Sequence, residues 1–146
     1  MTRGITCTIH SDNFRPFLRA LAQEDYTFYV KSCSTIDTSG MLLPRAIAPG
    51  CMTAQELIEL SNTSIWTLVL QLFPPNHSVS TSIDTYEEYL CSDCQGCIIF
   101  YDCCLLDAYI KNADVRQRWQ KALERCGAEE IILSTDENDF RVVLDC

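Results

Sequence analysis

Three cysteines with two residues between each pair, Cys91, Cys94 and Cys97, are the side chains of this sequence whose type and spacing best suit chemistry. Thiolates at such short spacing can aim two or more sulfurs at one ion, as zinc and iron–sulfur sites require. A structural site needs a fourth ligand, and the next thiols, Cys103 and Cys104, lie in an apolar run whose neighbouring side chains point to opposite faces. The pattern therefore favours no metal and no cofactor, and leaves a thiol-based metal-binding or redox site as the first alternative.

Most of the ten cysteines in these 146 residues occupy positions where any small apolar residue would serve. Cys7 lies on the apolar side of an alternating segment, and Cys126 lies in the apolar stripe of a helical segment. A reduced cysteine behaves as a small hydrophobe and is usually buried and inert. The sequence thus predicts thiols that pack in a core, in a cytoplasmic protein whose compartment keeps them reduced.

Asp102 interrupts the apolar run from residue 97 to residue 104, which is expected to form a strand. An unpaired carboxylate in a buried strand is costly, so the side chain should face solvent, pair with a cation such as Arg141 or Lys111, or have a raised pKa in a pocket. Pairing or exposure is favoured because structural ion pairs also perturb carboxylates. A small enzyme with Asp102 in its site, and Arg141 or His10 nearby, is the second alternative.

The charge balance limits the partners that the protein can have. Twenty acidic residues against eleven basic ones give a net charge of −9. Nucleic acids and anionic membranes both require clustered lysine and arginine, and the one basic concentration, between Arg116 and Arg125, is offset by Asp114 and Glu124. The first ten residues lack the apolar segment of a signal peptide, and no apolar run is long enough to span a bilayer. We expect binding to neither nucleic acid nor membrane, and a protein partner stays open.

The hydrophobic periodicity predicts one domain over residues 1–146, with strands and helices in mixed order. Strands are expected at 3–10, 26–33, 64–73, 78–83, 97–104, 106–111, 130–134 and 140–145, with a further short one at 41–43. Helices are expected at 12–23, after the capping boxes Thr53-x-x-Glu56 and Thr85-x-x-Glu88, and at 112–126. The absence of strict alternation indicates an α+β fold, with a single mixed β-sheet and about four helices packed on it.

Segments near the start, the middle and the end of the chain share motifs with one family. They are Arg3-Gly4-Ile5 before an alternating strand, Ile83-x-Thr85-Tyr86-Glu87 with Ser92-Asp93-Cys94 and a strand containing Asp102, and Thr135-Asp136-Glu137-Asn138-Asp139-x-Arg141. Together they resemble an uncharacterised bacterial family, the domain of unknown function 2691, over nearly the whole chain. The resemblance implies a small cytosolic α+β protein with no assigned reaction, substrate or cofactor, so it carries over no functional residue.

No catalytic constellation emerges from the sequence. Neither His10 nor His77 lies in a nucleophile motif, and the five glycines form no phosphate-binding loop. With an acidic surface and a long irregular stretch at 34–50, the sequence favours a non-enzymatic interaction or regulatory module.

Overall fold

Within residues 1–36, 44–79 and 82–146, which the computed structural model describes, the chain forms eight strands and four helices. The elements, in chain order, are β1 (Thr2–Thr8), α1 (Ser11–Leu21), β2 (Thr27–Ile36), β3 (Pro44–Ile47), β4 (Gly50–Met52), α2 (Ala54–Leu60), β5 (Ser64–Phe73), α3 (Tyr86–Cys91), β6 (Gly96–Tyr101), β7 (Leu105–Ile110), α4 (Ala113–Arg125) and β8 (Glu129–Thr135). The short strand expected at 41–43 lies outside the described residues.

All eight strands belong to one sheet, in the order β3-β2-β5-β6-β7-β1-β8, with β4 also paired to β2. The α+β class, the single sheet and the four helices are confirmed. Every described strand pair is antiparallel, however, where the sequence pattern indicated a mixed sheet. The helical connections through α1 and α4 do join strands that run in the same direction. Other strands lie between the joined pairs, so each strand meets only antiparallel neighbours.

One face of the sheet, the helix face, is covered by α1, α2 and α4. Apolar residues at helical spacing, Phe14, Phe17, Leu18 and Leu21, place one stripe of α1 in this core. The ring of Phe14 stacks on that of Phe100 of β6 at a centroid distance of 4.3 Å. The helix face is therefore held by burial of apolar surface.

The opposite face, the tail face, lies under α3 and the residues that follow β8, which we call the tail (136–146). Its core joins Tyr86 and Tyr89 of α3 and Leu144 of the tail to strand residues such as Tyr109 and Val69. Because β5 lies between two covered faces, residues 68–73 are all buried, as the sequence predicts for a central strand.

The strand expected at 97–104 ends at Tyr101, because the next residues turn. Asp102 and Cys103 have φ values of 53° and 60°, and the Cys104 N–H donates to the Tyr101 carbonyl at 3.3 Å. Positive φ at both central residues is the pattern of a type I′ turn, which suits a β-hairpin and tolerates Asp. β6 and β7 therefore form a hairpin, and Asp102 lies at its exposed tip rather than inside a strand.

The described residues do not form the two strands that were expected at 78–83 and 140–145. Near residue 83, the buried amide of Gln71 takes the role of a strand partner, since it donates to the Ile83 carbonyl at 2.7 Å and accepts from the Ile83 N–H at 3.0 Å. The segment 140–145 leaves the plane of the sheet and crosses its face, so it forms only an isolated bridge between Val143 and Thr85.

Candidate functional site

A buried ion pair on the tail face joins the tail to the centre of the sheet. The guanidinium Nη2 of Arg141 lies 2.6 Å from Oδ2 of Asp107, a β7 residue that is 8% exposed. The sequence names Arg141 as a candidate partner of Asp102, but in the structure Arg141 pairs with Asp107 instead. Asp102 is exposed at the hairpin tip, so the enzyme alternative that is built around it loses its central residue.

Strand register surrounds Asp107 with donors. Thr6 of β1 is paired with Asp107 in the sheet, and its hydroxyl donates to Asp107 Oδ1 at 2.9 Å. Because the Thr6 proton is used there, the Ser134 hydroxyl must donate to Thr6 across their 2.8 Å contact. The Tyr101 hydroxyl, from the neighbouring strand β6, donates to Asp107 Oδ2 at 3.3 Å. With Arg141, these residues form what we call the Asp107 cluster.

A second carboxylate fixes the path of the tail. Asp139 accepts from the Tyr109 hydroxyl at 2.6 Å and from the backbone N–H of Arg141 at 3.0 Å. The Arg141 side chain also donates to the Asp145 carbonyl at 2.7 Å, so it holds the tail at both ends of a short arc. The guanidinium lies 5.5 Å from the centre of the Tyr101 ring, which adds a cation–π contact. The tail is thus fastened to the strands through side chains.

The electrostatics of this region favour fixed charges over proton transfer. Burial acts to lower the pKa of Arg141, but the hydrogen bond to Asp107 and its negative charge outweigh that effect and raise the pKa. Burial, followed by the charge of Asp107, raises the pKa of Tyr101. Burial, followed by the hydrogen bond to Asp139, raises the pKa of Tyr109. At neutral pH the guanidinium therefore stays charged and both phenols stay protonated.

A cavity of about 210 Å³ opens beside the cluster, between Ile132, Asn138 and Asp139. Thr6 and Ser134 also line it, but Asp107 and Arg141 do not. The ion pair is closed off from this cavity by its own hydrogen-bond partners, so a molecule in the cavity would not meet the buried charges directly.

The three closely spaced cysteines are divided by burial. Cys91 is exposed at the end of α3, whereas Cys94 and Cys97 are 0% exposed in the core of the tail face. The Cys94 thiol donates to the Gly96 carbonyl at 3.2 Å. Across the described ranges, no group of three or more His, Cys, Asp or Glu side chains is placed to hold a metal ion, and the three cysteines do not converge.

The buried thiols are poor nucleophiles because burial disfavours the thiolate. Burial raises the pKa of Cys7 and of Cys33 to about 12. It raises the pKa of Cys94 to about 11 and that of Cys97 further still. Cys7 lies 2% exposed on the helix face, as its place in the alternating pattern predicts. These thiols therefore act as apolar packing groups at neutral pH.

The histidines do not complete a catalytic arrangement within the described part of the chain. His10 is exposed and caps α1, where its Nδ1 accepts from the Asp12 N–H at 3.2 Å. The His77 ring stacks on that of Phe73 at a centroid distance of 5.3 Å. Both rings therefore have local structural roles.

Sequence reasoning missed Asp107, although a signal for it exists. Asp107 is the sole charged residue of the apolar strand Leu105–Ile110. This is the same kind of anomaly as the charged Asp102 in its apolar run. A carboxylate within a strand that is buried on both sides needs a partner, and Arg141 was at hand.

These features define a small α+β protein whose single antiparallel sheet carries helices on one face and an ion-paired C-terminal segment on the other. The chain belongs to the family described as protein of unknown function (DUF2691), whose model matches residues 2–145. The match confirms the resemblance carried by the three sequence segments. No curated protein and no solved structure matches the chain. In the described ranges, none of the helices has the length and apolarity needed to cross a membrane.

Proposed function

We propose that the protein is a non-enzymatic interaction module, and that a partner protein binds the outer side of the tail. The observation that carries this proposal is a group of exposed apolar side chains, Phe140, Val142 and Val143, which are 77%, 68% and 55% exposed. We call these three residues the tail patch. Exposed apolar groups held together on a folded surface are typical of contact sites for other proteins.

The tail patch is presented by a rigid support. Arg141, between Phe140 and Val142, points inward to Asp107, and Leu144 is 0% exposed in the core. The Val142 carbonyl accepts from the Tyr86 N–H at 2.8 Å, and the Leu144 N–H donates to the Asp84 carbonyl at 2.9 Å. Because the backbone is fixed on both sides, the patch is preorganised and a partner would lose little entropy in ordering it.

The charges around the tail patch favour a basic partner over a second copy of the chain. Exposed acidic residues lie in the tail and in the adjoining first turn of α3, including Glu137, Glu87 and Glu88. Two copies joined through this surface would bring like charges together, in a protein whose net charge is −9. The partner chemistry that fits is a protein segment with large apolar side chains flanked by lysine or arginine.

Three further features support a non-enzymatic cytoplasmic role. The buried carboxylate at the centre of the tail face is already bound by three donors, Thr6, Tyr101 and Arg141. All ten cysteines are free thiols, an arrangement suited to a reducing compartment. The acidic charge balance disfavours nucleic acid as a partner.

Selection of peptides from a random displayed library on the immobilised protein tests the proposal. We expect enriched peptides that combine large apolar residues with lysine or arginine, and that bind with micromolar affinity as free peptides. The double variant Phe140→Ser/Val142→Ser should weaken their binding at least tenfold. The matched control is Trp66→Ser, which removes an exposed apolar side chain of β5 outside the tail patch and should leave binding unchanged.

Two results would overturn the proposal. One is a selection that enriches no peptide, or enriches acidic ones. The other is a set of enriched peptides that bind the Phe140→Ser/Val142→Ser variant as tightly as the wild type, while circular dichroism shows that the variant is folded.

A further inference from the structure

A cavity lies at the junction of β1, α3 and the start of α4. Its volume is about 390 Å³, which falls within the range of roughly 300–1,000 Å³ usual for small-molecule sites. Tyr86, Tyr89 and Leu90 of α3 line it, together with Arg3, Ile110, Lys111 and Arg116. The residues that line it include several cations and no carboxylate.

Two of these cations have donors to spare. The Lys111 ammonium donates to the Ser92 carbonyl at 2.7 Å, which uses one of its three protons. The Arg116 side chain makes no hydrogen bond and no ion pair with any residue of the described ranges, although it is only partly exposed. On the same helix, by contrast, Arg118 is paired with Glu24 at 2.7 Å. Within the described ranges, neither of these two cations forms a salt bridge with a carboxylate, in a chain with eleven basic residues and twenty acidic ones.

The cations of the cavity lie beside two tyrosine rings. The rings of Tyr86 and Tyr89 lie 5.7 Å apart, centre to centre. Arg3 lies over the Tyr86 ring at 4.1 Å, and the Lys111 ammonium lies 4.8 Å from the centre of the Tyr89 ring. Partial burial is the largest influence on Lys111 and lowers its pKa, so an anion placed beside it would be stabilised by charge in a partly dehydrated setting.

We propose that this cavity binds a small organic anion, whose carboxylate or phosphate group contacts Lys111 and Arg116 and whose apolar body lies against the exposed side chain of Leu90, beside Tyr86 and Tyr89. The cations supply the charge-assisted hydrogen bonds that recognise the head group. The apolar lining supplies the contact that an inorganic ion would not use. The site therefore selects anions that carry an apolar body over bare phosphate.

Isothermal titration of the full chain with three probes tests this assignment: indole-3-carboxylate, adenosine monophosphate and inorganic phosphate. We expect one of the two organic anions to bind with a dissociation constant below about 1 mM, and at least tenfold more tightly than inorganic phosphate. The relative affinity of the two organic probes distinguishes a carboxylate head group from a phosphate head group.

The variant Lys111→Met/Arg116→Met keeps most of the apolar stem of each side chain and removes both charges, so it should weaken the tighter probe at least tenfold. The matched control is Lys121→Met/Arg125→Met, which removes two exposed charges from α4 outside the cavity and should leave the affinity unchanged. The assignment is overturned if neither organic probe binds below about 1 mM. It is also overturned if the two double variants bind equally well. Peptide binding by the tail patch is measured separately, so either proposal can fail while the other stands.

Discussion

The two faces of the sheet are held by different forces. On the helix face, three helices bury apolar stripes against strands, and the residues of its core are apolar. On the tail face, an apolar core lies under one short helix and a segment without regular structure, and that segment is also fastened by an ion pair and by hydrogen bonds from tyrosine and threonine side chains. The comparison shows that directional contacts added to an apolar core can hold a segment without regular structure on a sheet, and that the outer side of this segment is left exposed.

Disruption of the sheet should harm both faces and give the largest effect. A Cβ added to Gly4 would lie 2.0 Å from the Ala108 carbonyl oxygen of β7, a backbone atom that cannot move without breaking the strand pair. We expect Gly4→Ala to lower the free energy of unfolding by at least about 3 kcal/mol in urea titration. Thr2→Ala in the same strand is the control and should change stability by less than about 0.5 kcal/mol. Equal stability of the two variants would contradict this account of Gly4.

Loss of the ion pair should open the tail face more readily than the helix face. Arg141→Met leaves Asp107 buried without its cation, and we expect it to destabilise the protein by about 3 kcal/mol. The double variant Asp107→Asn/Arg141→Met should be the milder one, because it removes the unpaired charge. The readout is thiol labelling under native conditions: Arg141→Met should speed modification of Cys97 on the tail face more than that of Cys7 on the helix face.

If labelling of Cys97 and Cys7 accelerates by the same factor in Arg141→Met, both faces open together in global unfolding. The distinction between them would then be one of composition alone. A tail that opens separately is expected from its attachment through few side chains, since such segments belong to the least stable parts of proteins.

Alkaline pH should lower the free energy of unfolding through buried thiols on both faces, by less than the two preceding changes. Burial raises the pKa of Cys7 to about 12 in the folded protein, whereas a thiol of the unfolded chain ionises near about 8.5. A raised pKa contributes stability that is complete below the unfolded value and is lost as the pH rises toward the folded value. The free energy of unfolding should therefore be steady up to about pH 8 and fall above it.

Removal of one buried thiol should flatten that decline. Between about pH 9 and 11, Cys7→Val should reduce the slope by up to roughly 1.4 kcal/mol per pH unit, the contribution of one proton. Ile98→Val, which trims the same core without removing a titratable group, should keep the wild-type slope. Equal slopes for Cys7→Val and Ile98→Val would show that ionisation of Cys7 does not contribute as expected to the loss of stability at alkaline pH.

The helix face was accessible to sequence reasoning because its signals are local. The spacing of Phe14, Phe17, Leu18 and Leu21 determines which side of α1 is buried, and the unbroken apolar run of β5 predicts cover on both faces. The capping boxes at Thr53 and Thr85 begin α2 and α3 where the sequence places them, with both reciprocal hydrogen bonds formed.

The tail face was less accessible because its contacts join distant residues. Asp107 and Arg141 lie 34 positions apart, and Thr6 and Ser134 lie 128 apart. Periodicity carries no information about such pairs. The apolar content of 140–145 therefore predicted a strand, whereas these residues belong to the irregular tail. The prediction that Asp102 lies inside a strand was wrong for a related reason. Positive φ at two successive residues ends the strand, and the strand propensity of their neighbours does not reveal that turn.

The alternation of buried and exposed residues along the tail has a consequence for how this family can diversify. Arg141 and Leu144 secure the segment, while Phe140, Val142 and Val143 face outward and contribute little to holding it in place. Substitutions at the outward positions can therefore change the surface that the tail presents without disturbing the scaffold beneath. If the proposed binding at the tail patch holds, such substitutions would alter its specificity while the anchoring residues stay the same.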